Sequence, residues 1–143
     1  MSDFPITVFH NPACGTSRNT VAMIEAAGYR PTVVDYLETG WTRETLDGLL
    51  AAMGVGPRDI LRDKGAPASA LGLLDPATPD DALLDAMLAH PILVNRPIVV
   101  TPLGTRLCRP SEVVFALLER KPERFTKEDG EVVVPPGGPA SQP

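Results

Sequence analysis

The sequence predicts an α/β fold, a mixed sheet made of a βαβ half and a ββα half with a helical insertion between them. Three observations predict it. Short β-branched runs at Ile6–His10, Pro31–Tyr36 and Ile98–Thr101 stand among helical patterns. The first two are separated by one amphipathic stretch, giving a segment of about 30 residues, the size of a parallel βαβ unit. The third is followed at once by a turn and a return strand, as a hairpin requires.

Each element has its own signal. Ile6 to His10 is apolar and β-branched and stops at the turn pair Asn11-Pro12. Thr16 or Ser17 is placed to cap a helix through Val21, Met23, Ile24 and Ala27, which Gly28 closes. Pro31 to Tyr36, with Thr-Val-Val at its centre, is the second strand. Thr42 caps the next helical pattern, where Leu46, Leu49, Leu50 and Met53 share a face and Gly54 follows. Pro57 to Arg62 reads as a short helix, and Gly65 to Pro79, punctuated by proline and glycine, reads as loop. Asp80 and Asp81 suit the first turn of a helix carrying Leu83, Leu84, Met87 and Leu88 and ending at His90-Pro91.

Arg96-Pro97 then leads into Ile98-Val99-Val100-Thr101. Pro102-Leu103-Gly104 turns the chain, and Thr105 to Cys108 returns. Ser111 is read as the cap of a last helix through Val114, Leu117 and Leu118. One domain is expected over 1–130, followed by a Pro/Gly-rich tail over 131–143 that is expected to be disordered.

The order β-α-β, helical insertion between Leu37 and Pro91, β-β-α is the thioredoxin/glutaredoxin-like plan. In that plan the segment after the first strand faces the turn before the third. Cys14 is therefore expected beside Arg96-Pro97, distant though they are in the chain.

The bulk composition narrows the function. A chain of 143 residues with 43% hydrophobic and 22% charged residues can bury a real core as one domain. Its net charge of −5 disfavours general binding to nucleic acid or an anionic membrane, although a local cationic pocket stays possible. No run approaches the roughly 18 apolar residues that span a bilayer, and the N-terminus lacks the pattern of a secretory signal. Two cysteines, Cys14 and Cys108, make neither a disulfide framework nor a zinc site, and no Cys-x-x-Cys occurs. A cytoplasmic monomer with no bound metal is the expectation.

Cys14 sits where a strand hands over to a helix. Unpaired backbone N–H groups and the positive end of the helix dipole favour thiolate over thiol there, and the same N–H groups can hold an oxyanion. From spacing alone, a nucleophile and a buried small hydrophobe both remain open for this residue. Cys108, in the return strand, reads as structural. Arg62 and Arg109 by themselves are ordinary charges, of the kind most often solvated.

Longer blocks decide between these readings. His10-Asn11-Pro12-Ala13-Cys14-Gly15-Thr16-Ser17-Arg18-Asn19-Thr20, Ile60-Leu61-Arg62, the whole stretch from His90 to Ser111, and Phe125 to Gly130 resemble the glutaredoxin-dependent arsenate reductases, the ArsC family of thioredoxin-like fold. The resemblance implies that Cys14 is the catalytic cysteine and that Arg62, Arg96 and Arg109 surround the oxyanion. It implies a cis peptide at Arg96-Pro97. His10 and Ser17, read from the chemistry the thiol needs, are supporting candidates that add a hydrogen bond or a nearby positive charge. The resemblance further implies arsenate as substrate, glutathione as co-substrate, glutaredoxin as partner, and no bound cofactor. The segment from Lys64 to Pro79 and the tail fit the family least.

Three rival readings meet specific residues of this chain. A low-molecular-weight phosphatase-like anion loop needs an arginine six positions after the cysteine, where this chain has Thr20. Non-catalytic Spx-like regulators on the same fold commonly carry Cys-x-x-Cys and lack the three arginines. An orphan glutathione-dependent reductase would be favoured by loss of any of those arginines, and all three are present.

Overall fold

The computed structural model describes residues 4–64 and 67–135. They fall into two compact units: the residues up to Asp35 together with those from Arg96 onward, and Tyr36–Asn95. The second unit is the insertion that the sequence places between the two halves of the sheet.

The first unit holds a four-stranded sheet in the order β2-β1-β3-β4. β1 is Thr7–His10, β2 Thr32–Asp35, β3 Ile98–Thr101 and β4 Gly104–Leu107. β1 and β2 run parallel, with His10 opposite Asp35, and helix α1 (Gly15–Ala26) makes the crossover. β3 pairs antiparallel with β1, placing Ile98 opposite Phe9, and β4 returns antiparallel along β3. This is the thioredoxin-like plan. Ile6, Val8, Met23, Ile24, Val99, Val114, Phe115 and Leu118 are buried in one core, so the apolar positions of strand and helix meet as the periodicities require. Each such side chain contributes roughly 1.5–3 kcal/mol by leaving water.

Four local features differ from the sequence expectation. Neither Thr16 nor Ser17 caps α1. The cap is Cys14, in extended conformation, because the Ser17 hydroxyl already accepts the Asn11 N–H. β4 ends at Leu107, so Cys108 lies just beyond it. The last helical segment is a 3₁₀ helix, Ser111–Leu117, preceded by Pro110. The Ser111 hydroxyl does not cap it, since it donates to the carbonyl of Thr16 on α1. Finally, the chain does not end its structure at Gly130. β5 (Phe125–Thr126) and β6 (Val132–Val133) form an antiparallel hairpin, and Val133 is buried in the core. Of the tail read as disordered, residues 136–143 lie outside the described residues.

The second unit is helical. α2 (Tyr36–Thr39), which the sequence reading lacked, precedes α3 (Arg43–Met53). Thr42 caps α3 by accepting the Thr45 N–H, and Gly54 ends it at φ +70°, a backbone angle that favours glycine. A 3₁₀ helix at Pro57–Ile60 and α4 (Asp80–Ala89) follow. Leu46, Leu50, Ile60, Leu83, Met87 and Leu93 are buried here, and the Tyr36 hydroxyl donates to the carbonyl of Val94 at 2.7 Å. Of the loop read over Gly65–Pro79, residues 65–66 lie outside the described residues, and Arg58 organises the later part by donating from its guanidinium to the carbonyls of Leu73, Asp75 and Thr78. Among the described residues no helix is long and apolar enough to cross a membrane.

Candidate active site

The turn that carries Cys14 is built by Asn11, which is only 2% exposed. Its carbonyl accepts the Cys14 N–H at 3.0 Å, and its side-chain oxygen accepts the Ala13 N–H at 2.9 Å. The chain therefore curls on itself immediately after β1, and the Cys14 carbonyl begins α1 by accepting the Arg18 N–H at 2.9 Å. Cys14 is half-buried. In the sequence Asn11-Pro12 reads only as a turn. Its asparagine is the residue that sets the path of the cysteine backbone, and the signal was there in the tendency of Asn to bond the backbone two residues on.

Two arginines of the first unit reach the sulfur. Arg96, in the segment before β3, is buried, and the Arg96-Pro97 peptide is cis. Arg109 follows β4 and donates from Nη1 to the Arg96 carbonyl at 3.0 Å and to Cys14 Sγ at 3.8 Å. The Arg109-Pro110 peptide is cis as well. Burial is the largest single influence on the Cys14 thiol and pushes its pKa up. The Ser17 N–H, the guanidiniums of Arg96 and Arg109, and the charge of Arg96 together outweigh it, bringing the group from 9.0 down to about 7. Near neutrality, then, a large fraction of Cys14 is thiolate, the nucleophilic form.

His10 and Ser17 lie beside this turn. His10 Nδ1 is 2.7 Å from Ser17 Oγ, and Ser17 is fully buried. Burial lowers the His10 pKa, with Asp35 opposing and Arg18 assisting. Ser17 contributes to the sulfur through its backbone N–H, while its hydroxyl serves Asn11 and His10. Arg62 belongs to the second unit. There its Nε donates to the Lys64 carbonyl at 2.7 Å and its Nη1 to Asn95 Oδ1 at 3.2 Å. Cys14, Arg96, Arg109, His10 and Ser17 are thus gathered within one unit, and Arg62 is carried by the other.

Cys108 has the opposite surroundings. It is fully buried in the apolar core, and burial pushes its thiol up to about 12 despite the charge of Arg106. Its Sγ lies 3.7 Å from the Arg106 carbonyl as a donor, consistent with a protonated thiol.

The arrangement can do two things: present a sulfur nucleophile, and place positive charge where a tetrahedral anion brings negative charge. Comparison with known proteins points the same way. The sequence profile of the ArsC family matches residues 9–117. The chain is 58% identical over 134 residues to the arsenate reductase of Rhizobium meliloti strain 1021, covering 93% of this chain and 96% of that protein. It is 57% identical to the arsenate reductase of Escherichia coli strain K12, with 93% and 95% covered. The solved structure of an arsenate reductase from Vibrio cholerae superposes with a TM-score of 0.77 at 39% identity, covering 82% of this chain and 100% of that one.

Proposed function

The chain belongs to the ArsC family and, like the relatives it matches along nearly all its length, is an arsenate reductase; we propose that it uses glutathione and glutaredoxin to make arsenite. The observation that carries the reading is the pair of guanidiniums on the Cys14 sulfur, Arg96 and Arg109, with the thiol lowered to about 7.

Arsenate at neutral pH is itself an anion, so thiolate attack brings two negative species together. Arg96 and Arg109 offset that repulsion and stabilise charge building on the arsenate oxygens, and a guanidinium fork matches paired oxygens where an ammonium does not. Cys14 Sγ bonds to arsenic(V), and one arsenate oxygen departs, protonated, as water. Glutathione thiolate then attacks Cys14 Sγ. An S–S bond forms, the As–S bond breaks with its electron pair left on arsenic, and arsenic(III) leaves as arsenite. Glutaredoxin reduces the Cys14–glutathione disulfide and restores the thiol. Cys108, buried and held as a thiol, is unsuited to resolve the adduct, which favours an outside thiol.

Arg62 is assigned to the anion by the family resemblance alone, and Arg62→Ala is its own test. The reading also assigns the protein to the cytoplasm, as a monomer with no bound cofactor. A coupled assay tests the whole: protein, glutathione, glutaredoxin and glutathione reductase, with NADPH loss followed on adding arsenate. Loss that depends on both arsenate and glutaredoxin supports the proposal. Arsenate reduction that proceeds equally with another dithiol donor and without glutathione overturns the choice of reductant.

A further inference from the structure

We propose that Glu128 is a distal positioning residue for the Cys14 sulfur, acting through Arg18 on the carbonyl of Pro12.

The observation is how the three groups share one guanidinium. Arg18 lies on the first turn of α1. Its Nε and Nη2 take the two carboxylate oxygens of Glu128 at 2.8 and 3.0 Å. That leaves Nη1, which donates to the Pro12 carbonyl at 2.8 Å, two residues before Cys14. A planar fork can hold a carboxylate along one edge and aim its remaining nitrogen in a fixed direction, which a lysine cannot.

Glu128 is itself anchored. Its N–H donates to Asn19 Oδ1 at 3.0 Å, and the neighbouring Lys127 ammonium bridges Glu112 and Glu131 at 2.8 and 3.1 Å. Gly130 N–H bonds back to the Lys127 carbonyl and closes the turn. The β5–β6 hairpin thus brings its turn onto the start of α1, over a hundred residues away in sequence.

As a stability device this pair is poor, because both side chains are nearly half exposed and exposed pairs contribute little. Its consequence is local. With Glu128 in place Arg18 keeps one rotamer, the Pro12 carbonyl keeps its donor, and the Pro12-Ala13-Cys14 turn keeps Sγ against the Ser17 N–H. Without it, a long half-exposed side chain regains rotamer freedom and the turn loses one of its ties.

The inference rests on Cys14 as the nucleophile. The experiment reads the sulfur rather than arsenate, so the two readings fail separately. In the full chain carrying Glu128→Gln, the pH midpoint of Cys14 alkylation by iodoacetamide is measured, with hydrogen exchange of the Ala13 and Cys14 amides. The midpoint is expected to rise by roughly half a unit, as partial loss of a hydrogen bond to the charged form requires. Both amides are expected to exchange faster, with the melting temperature nearly unchanged.

A direct effect of charge has the opposite sign. Removing a carboxylate beside Arg18 strengthens the positive field at the sulfur and lowers the midpoint. A midpoint that falls, or stays where it was, overturns the proposal. Arg18→Lys, which keeps the charge but cannot serve both acceptors, is expected to reproduce the rise; wild-type behaviour there overturns it equally.

Discussion

The turn after β1 and the segment just past β4 each carry one cysteine, and the two have become different chemical groups. Cys14 meets a backbone N–H and two guanidiniums and titrates at about 7. Cys108 meets apolar side chains and a carbonyl and titrates at about 12. Both lose solvation, and burial is the largest influence on each, upward in both cases. What separates them is whether the fold supplies donors to the anion. Residue type therefore says little about a thiol, and the donors around it say most.

The comparison is broken or kept most decisively by removing the two sulfurs in turn. Cys14→Ser is expected to abolish arsenate reduction in the coupled assay, whereas Cys108→Ala keeps turnover near the parent value. Loss of turnover in the second variant with its fold intact would give Cys108 a redox part that its burial argues against.

Next in size is removal of the donors. Arg96→Ala or Arg109→Ala is expected to cost about 100-fold or more in kcat/KM, the scale of deleting a preorganised donor from developing negative charge. The Cys14 alkylation midpoint should rise in both variants, moving this thiol toward the behaviour of Cys108. A guanidinium that mattered only for folding would lower the melting temperature and leave that midpoint alone.

These donors show what could be read in advance and what could not. The strands, the Thr42 cap and the Gly54 stop depend on residues within a few positions of one another, and local pattern suffices for them. The meeting of Cys14 and Arg96 followed from topology, since the strand order brings the first βα turn to the segment before β3. Arg109 was reached through the family resemblance. Local pattern failed where a side chain was already committed elsewhere. Ser17 looks like a helix cap, yet its hydroxyl is taken by Asn11, and Ser111 looks like one, yet it is taken by Thr16. The β5–β6 hairpin has strands of two residues each, too short for alternation to register.

Stability against pH separates the cysteines in sign. Cys14 is more acidic folded than unfolded, so the unfolded chain binds the extra proton between about 7 and the ordinary thiol value. Its contribution is complete above the unfolded pKa and fades as pH falls through about 7. Cys108 is less acidic folded, so its contribution is present below the unfolded pKa and is lost as pH rises toward about 12. Denaturant unfolding at a series of pH values, compared for the parent, Cys14→Ser and Cys108→Ala, reads these slopes. Removing Cys14 should flatten the rise through neutral to mildly alkaline pH, and removing Cys108 should flatten the alkaline fall. Slopes of equal sign for the two would mean that their surroundings do not differ as described.

A smaller effect sharpens which part of Ser17 matters. Ser17→Ala keeps the backbone N–H that the sulfur uses but deprives the buried Asn11 N–H of its acceptor and His10 of its partner. A stability loss of about 1–3 kcal/mol is expected from the unsatisfied donor. The alkylation midpoint should move less than in either arginine variant. If it moves as far, the hydroxyl and not the amide is what holds the turn to the sulfur.

The least effect belongs to the core. Cys108→Ala removes one sulfur from a packed site, and the small void it leaves costs about 1 kcal/mol, on the scale of a single deleted group in an apolar interior. The Cys14 midpoint should not respond, because every group that lowers it (the Ser17 N–H, Arg96 and Arg109) keeps its own attachments. Arg109 is the sensitive element, since it follows Cys108 directly and reaches the sulfur only while its Nη1 also holds the Arg96 carbonyl. A raised midpoint in Cys108→Ala would therefore mean that the packing of this inert thiol fixes where Arg109 begins, and that the two cysteines are coupled through the backbone between β4 and the 3₁₀ helix.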